Sequence, residues 1–338
     1  MQLTRWFEQR SASRPSRRLF ANKPLIALVI LIALIVIFAL LTPRNAFLSR
    51  NTINLFLNYV PEIALMTIGM GILLIVGEID LSIGSIYVFS SVILAGLHRD
   101  FGIGMALAIP LTLLAGAAMG AINGVITTRT RIVSFIVTLG TMWAYRGIML
   151  VLVGGTSMRV TPNEFEQSLL GAFTGRVGDV PMHFIWLVII AVLALTLLQR
   201  TRFGNWIFAT GSNERAARMM GINTNRVKVL CFALSGFLCA FAGFIQVSRT
   251  SHAIPQSGES VMLSAIAGAI IGGTSLRGGN GSVLGALFGA FILQVVSLGF
   301  IMLGFIEYYT NIVIALALIS TAFAYIRLGT PGAKGESE

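Results

Sequence analysis

Two carboxylates, Glu78 and Asp80, stand two residues apart in Gly77-Glu78-Ile79-Asp80-Leu81-Ser82-Ile83-Gly84-Ser85. The surrounding stretch, from 60 to 97, is otherwise apolar. Charge at bilayer depth is costly and faces a protein-lined or watery cavity. Glycines and hydroxyls interrupt the same run, and broken backbone persists in lipid only where protein covers it or water wets it. The segment therefore reads as a helix break beside a translocation path, or as a short turn between two spans. Thr138 and Arg146 follow in Ser134-Phe-Ile-Val-Thr138-Leu-Gly140-Thr141-Met-Trp143-Ala-Tyr145-Arg146-Gly147. A mid-span arginine needs a carboxylate, which Glu78 or Asp80 would supply, or it snorkels to the outer face. Glu78, Asp80, Ser82, Ser85, Thr138 and Arg146 are thus candidates to line a path for a polar solute. No His-Glu-x-x-His, Gly-x-Ser-x-Gly or comparable constellation is present, so no residue is assigned a catalytic role.

A second cluster is Gly211-Ser212-Asn213-Glu214-Arg215-Ala216-Ala217-Arg218-Met219-Met220-Gly221-Ile222-Asn223. Asn213 is a good helix N-cap. Glu214 sits at the positive end of the helix dipole and four residues before Arg218. Gly221 is a natural terminator. Ala216, Met219 and Met220 share a face by their spacing. The short capped helix so predicted suits a groove on a partner protein, with packing under its own spans as the other reading.

The elements that must position these residues are set by composition. The chain has 338 residues, of which 56% are hydrophobic and only 11% charged. A soluble domain carries about 25% charged residues. Charge so sparse excludes soluble, disordered, fibrous and disulfide-scaffold classes and leaves an all-α polytopic membrane protein. Apolar runs at 25–42, 60–77, 83–97, 104–126, 134–153, 182–199, 229–247, 259–274, 282–304 and 308–326 predict about ten spans, with 83–97 and 259–274 short. If the N-terminus is inside, the inner pieces hold 17 of the 24 Lys and Arg residues and the outer pieces 6, Arg146 being the remaining one. That bias predicts both termini on the cytoplasmic side. The +11 net charge is then a topology signal with attraction to the lipid bilayer, not a nucleic-acid footprint. The organisation expected is a basic segment at 1–24, one membrane domain at 25–326 with a cytoplasmic loop at 200–228, and a tail at 327–338. The basic segment carries Arg5, Arg10, Arg14, Arg17, Arg18 and Lys23, and the run after it reads as a retained first span. Cys231, Cys239 and three scattered histidines make no metal pattern.

Two glycine stripes repeat. Gly116, Gly120 and Gly124 are four apart in the fourth run, and Gly281, Gly285 and Gly289 four apart in the ninth. Such stripes let helix backbones approach closely. Five runs of separation predicts an inverted repeat of spans 2–5 and 7–10, an arrangement common in transporters. Gly77-Glu78 and Gly258-Glu259 echo each other as well, in a different register.

Ala216-Ala217…Gly221 resembles the coupling-helix motif of permease subunits of bacterial ABC importers, with its acid one place early at Glu214. Glu78-Ile-Asp80-Leu-Ser82-Ile-Gly84-Ser85 resembles the Gly-Gly-Ile-Asp-Leu-Ser-x-Gly-Ser signature of the ribose-type monosaccharide permeases, with Glu78 in place of the second glycine. Thr138-Leu-Gly140-Thr141-Met…Tyr145-Arg146-Gly147 and Gly272-Gly273-Thr274-Ser275-Leu276-Arg277-Gly278-Gly279…Gly281 are similar to two further signatures. Where that family often carries Glu-Leu-Asp-Ala-Ile-Ala, this chain has Met262-Leu263-Ser264-Ala265-Ile266-Ala267. The resemblance implies an inner-membrane subunit importing a monosaccharide. It also implies a second permease copy, two ATP-binding cassette subunits or one fused protein, and a periplasmic sugar-binding protein. Asn213, Glu214, Ala216, Ala217 and Gly221 would couple to the ATPase. The chain has no phosphate-cradling loop of its own, so ATP would be used by the partners and no cofactor bound here. The alternative reading is an ion- or proton-coupled secondary transporter of a small polar solute.

Overall fold

The structure is a computed structural model that describes residues 23–328. The five N-terminal arginines and the tail from 329 lie outside the described residues. Each of the ten apolar runs lies in a helix. In chain order these are α1 (Lys23–Leu41), α2 (Arg50–Val76), α3 (Ile83–Arg99), α4 (Met105–Thr130), α5 (Ser134–Val153), α7 (Met182–Arg200), α10 (Thr224–Thr250), α11 (Gly258–Ile271), α12 (Val283–Met302) and α13 (Glu307–Leu328). Seven of them are long and apolar enough to cross a membrane. The apolar parts of α3, α11 and α13 are shorter. The described residues also include three shorter α-helices, α6 (Glu164–Thr174), α8 (Arg202–Ser212) and α9 (Glu214–Met219), and a 3-10 turn at Pro43–Leu48.

Two helix starts differ from the sequence expectation, each for a local reason. α2 starts ten residues early because Ser49 caps it, its hydroxyl accepting from the Thr52 amide. The polar turns this adds find partners: Asn58 meets His183, and Asn54 accepts from Arg176. α10 starts at Thr224 behind the Asn223 cap, which reaches the Arg226 amide. The polar stretch at 154–181 carries one helix, α6, and three short strands. Strands β1 (Met158–Arg159) and β4 (His252–Ala253) pair antiparallel, as do β2 (Arg176–Val177) and β3 (Val180–Pro181). Asn163 and Glu166 form a reciprocal capping box on α6.

The core is built on α2 and α10. Of their apolar windows 89% and 72% are buried, against 17% for α1, so α1 lies at the periphery. Both core helices have 27 residues, end in a left-handed residue (Gly77, Ser251), and lead through a break into a short helix. The short helices start behind serines of matching backbone angles, Ser82 at φ −79°, ψ −6° and Ser257 at φ −80°, ψ −5°. They cross at Gly84 and Gly258, where a methyl group on Gly84 would sit 2.3 Å from the Gly258 carbonyl oxygen. The first glycine stripe faces α10: a Cβ on Gly116, Gly120 or Gly124 would meet Ala240, Phe232 or Val229. The second does not use the equivalent helix alone. Gly281 abuts Ile75 of α2, whereas Gly285 and Gly289 abut the Gly272 and Gly268 carbonyls at the end of α11. Large apolar side chains on α1, α5 and α7, such as Leu40, Trp143, Val151 and Leu193, remain exposed, as a lipid-facing surface requires.

Candidate translocation and coupling site

The break between α2 and α3 is held by side chains from α4 and α5. Gly77 adopts φ +90°, which ends α2 and frees the next residues from helical pairing. Asp80 is fully buried. Its Oδ1 accepts from the Ser82 amide at 2.7 Å and the Ser82 hydroxyl at 2.6 Å. Asn123 of α4 donates to Ser82 Oγ at 2.7 Å and to Asp80 Oδ2 at 3.4 Å. The Tyr145 hydroxyl of α5 lies 3.2 Å from Asn123 Oδ1. The freed backbone is satisfied by α5: Ile79 N donates to Ser134 Oγ and Leu81 N to Thr138 Oγ1. Ser85 donates to the Met142 carbonyl at 2.9 Å. Sequence reasoning placed Asp80, Ser82, Ser85 and Thr138 in this neighbourhood, and the structure brings them together with α5. Asn123 and Tyr145 were missed. Their signal was an amide and a phenol amid the small and apolar residues of spans 4 and 5.

Arg146 pairs with neither Glu78 nor Asp80, correcting that expectation. Its partner is Glu259, in the first turn of α11. The pair lines a small cavity with Gly84, Ser85, Met142, Gly258 and Met262, where α3, α5 and α11 meet. Glu259 is one helical turn before Met262, the first acidic position of the resembled family's run. The two positions share a face of α11, and both line the cavity beside Arg146.

Glu78 points the other way. Its Oε1 lies 2.7 Å from Lys228 Nζ, in the second turn of α10. The same ammonium donates to Glu214 of α9 at 2.9 Å. Lys228 was missed because one lysine in a loop-to-span junction looks like an ordinary topology charge.

The second cluster folds as predicted in its capping. Asn213 Oδ1 accepts from the Ala216 amide at 3.0 Å, Arg218 pairs with Glu214, and Gly221 takes φ +83°. Burial of the Glu214 carboxyl alone would raise its pKa, but hydrogen bonds from Lys228, Arg218 and Thr224 bring it below the usual carboxylate range. One assignment is corrected. Ala217, expected on the docking face, is 1% exposed and packs against its own chain, on the side of the helix turned away from Met219. The exposed face carries Met219 at 81% and Met220 at 71%, with Ala216 also exposed. α8, which precedes α9, is wedged on α2: a methyl group on Gly211 would sit 1.8 Å from the Ile75 carbonyl oxygen. Gly279 of the glycine-rich 272–281 loop donates to that same oxygen at 2.8 Å. Gly278, at φ +80°, packs on Gly77. Three sequence signatures therefore converge at one end of the bundle.

A second buried ion pair lies towards the other end of α2 and α10. Arg249 donates through Nε and Nη2 to Glu62 Oε1 at 3.0 and 2.7 Å. Tyr87 donates to Glu62 Oε2 at 3.0 Å. The guanidinium carbon lies 4.0 Å from the centre of the Tyr59 ring. Sequence reasoning passed over Glu62 because it lies where the predicted span had barely begun.

Helices broken inside an apolar bundle, with a capped helix presented at one end, define a multi-pass transport permease. The family described as "Branched-chain amino acid transport system / permease component" matches residues 52–322. The ribose import permease protein RbsC of Escherichia coli strain K12 is 37% identical over 303 residues, covering 89% of this chain and 92% of its own. RbsC of Haemophilus influenzae is 36% identical over 315 residues, covering 93% and 95%. The autoinducer 2 import system permease protein LsrC of Photorhabdus luminescens is 31% identical over 275 residues, covering 81% of each chain. No solved structure matches the chain. The chain belongs to this permease family, on the ribose-type branch of ABC importers, and is a multi-pass inner-membrane protein.

Proposed function

We propose that this permease carries a monosaccharide, a ribose-like pentose or hexose, from a periplasmic binding protein into the cytoplasm. It pairs with a second permease copy, and the pair is driven by two ATP-binding cassette subunits or one fused protein. ATP is bound by those partners, and this chain holds no cofactor and performs no bond chemistry. The observation that carries the reading is α9: a capped helix presenting Met219 and Met220 to solvent, fastened through Gly211, Glu214 and Lys228 to the break that precedes α3. Relatives named for ribose import support the sugar class.

All ten apolar helices belong to the membrane domain, with both termini and the α9 end cytoplasmic. The positive-inside bias supports this orientation, since Arg200, Arg202, Arg215, Arg218, Arg226 and Lys228 gather at the α9 end. The matched pairs α2–α3 and α10–α11 support an inverted repeat of spans 2–5 and 7–10. Its register sets Ser82 opposite Ser257, rather than Gly77-Glu78 opposite Gly258-Glu259. Gly84 and Gly258 then mark the crossing of the two half-helices near the bilayer midplane. Ser85, Arg146 and Glu259 face the passing sugar there, while Asp80, Ser82 and Thr138 hold the break in shape. The glycine stripes serve helix packing.

Reconstitution of the permease with its ATPase and binding protein in vesicles tests the reading. Uptake of radiolabelled ribose or a related sugar is expected to need both ATP and the binding protein and to survive a protonophore. Uptake abolished by the protonophore with ATP intact would support the ion-coupled alternative instead.

A further inference from the structure

We propose that Lys228 is a coupling strut, an ammonium shared between Glu214 of α9 and Glu78 of the break, which converts displacement of α9 into displacement of the α3 N-terminus. The inference rests on the importer reading and adds to it the residues that pass the motion on.

Three observations carry it. The first is geometric: one nitrogen sits 2.7 Å from Glu78 Oε1 and 2.9 Å from Glu214 Oε2, so three separate elements meet at one point. The second is the difference between its two acids. Glu78 is 7% exposed, and its side chain has Lys228 as its partner in the structure. Glu214 lies nearer solvent and has Arg218 and Thr224 besides. When α9 shifts, Glu214 keeps Arg218 of its own helix, whereas the Glu78 carboxylate, buried with one partner, must follow the ammonium or be left bare. The third is the backbone beneath. Glycine contacts at 77, 211 and 278 seat α8, α2 and the 272–281 loop on one another with no side chains between. The break from 78 to 82 leaves that seat and is held instead by Asn123 of α4 and by Ser134 and Thr138 of α5, and Glu78, its first side chain, is the one that reaches α10. Six residues beyond Glu78, Gly84 rests on Gly258, where the two short helices cross.

Lys228 and Glu78 are positioning residues, since neither touches the cavity beside Arg146. Their removal should change how tightly transport follows ATP use rather than whether the sugar is recognised. The test uses the full complex in vesicles and reads sugar carried per ATP hydrolysed. The parent is measured first; absence of ATP- and binding-protein-dependent uptake would bring down the importer reading and this inference with it. Glu78→Gln is expected to lower the ratio fivefold or more while affinity for the loaded binding protein stays within twofold. Glu78→Gln leaves a buried ammonium with one acid fewer, so Glu78→Gln/Lys228→Met is made as well, removing both charges together. A merely structural bridge predicts that the double variant, relieved of the unpaired charge, recovers both melting temperature and ratio. The strut predicts recovered melting with the ratio still depressed. A parental ratio in the double variant, with parental uptake present, would overturn the strut and leave the importer reading standing. Failure of both variants to assemble would make the bridge a folding element and overturn the strut too.

Discussion

The two buried ion pairs between α2 and α10 use the same chemistry and differ in how closed they are. Glu62 and Arg249 are satisfied on every side: two guanidinium nitrogens on one oxygen, Tyr87 on the other, and Tyr59 under the cation. Glu78 and Lys228 share their charge with a third group, Glu214, on a helix that is largely exposed. Lys228 and Arg249 stand 21 residues apart on one continuous helix, about 32 Å along its axis. A planar guanidinium in a filled site fixes one geometry, whereas an ammonium on a flexible stem exchanges partners at little cost. The comparison teaches that one end of the α2–α10 pair is built to stay and the other to give.

The largest effect should come from opening the closed site. Glu62→Gln strands the Arg249 charge in the interior, and breaking a buried pair on one side costs about 3–5 kcal/mol. The variant is expected to be poorly extracted and to melt well below the parent in a thermal-shift assay; parental melting would show that water reaches Arg249. Next, Ala217→Trp forces a large ring into a filled contact, and overpacking of this kind costs about 1–3 kcal/mol. Reduced expression of the permease by itself, without any ATPase present, is the expected readout, and unchanged expression would place Ala217 on the docking face after all. Third, Met219→Ser/Met220→Ser alters only exposed side chains at the open end. Melting should hold, and recovery of the ATPase on an affinity-tagged permease should fall about tenfold, equal to about 1.4 kcal/mol; full recovery would remove α9 as the docking element. Fourth, Glu78→Gln should cost less stability than Glu62→Gln, because Lys228 retains Glu214. A loss as large as that of Glu62→Gln would erase the contrast between the ends.

The smallest effect is pH-dependent. The folded state holds the Glu214 carboxyl below its ordinary value of 4.5, through Lys228, Arg218 and Thr224, which outweigh burial. A group depressed in this way stabilises α9 at pH values above its unfolded pKa. That contribution fades as pH falls through the lower, folded value. A nitroxide on Met219→Cys, with both native cysteines buried, is expected to gain mobility below about pH 4.5 and to lose that transition in Glu214→Gln. A transition that persists in the Gln variant belongs to another carboxyl.

Much was legible because apolar length and charge bias act locally. Each apolar run became a helix, and Asn213 and Gly221 ended α9 where their cap chemistry requires. The two runs at 83–97 and 259–274 were readable as short elements from their length, and each is a short helix. Partners were not legible. Arg146 called for a carboxylate by its mid-span position, and the sequence offered Glu78 or Asp80, but the contact of α3 and α11 at Gly84 and Gly258 brought Glu259 to it instead. Ala217 turned inward because α9 packs on one side only, which the helical period cannot reveal.

The sequence alone determined what the bilayer and the local backbone demand: helices throughout, a break at Gly77, a capped helix at 213–221, and glycine where backbones touch. Those demands are set by neighbours in the chain, since an apolar run, a positive φ and an N-cap are each decided within a few residues. The tertiary structure alone decided which charges meet. Glu78, Lys228 and Glu214 are separated by up to 150 residues in the chain, as Glu62 and Arg249 are by 187. An ion pair falls off with distance in space and carries no memory of distance along the chain. Its partners are therefore fixed only when α2, α9 and α10 have packed.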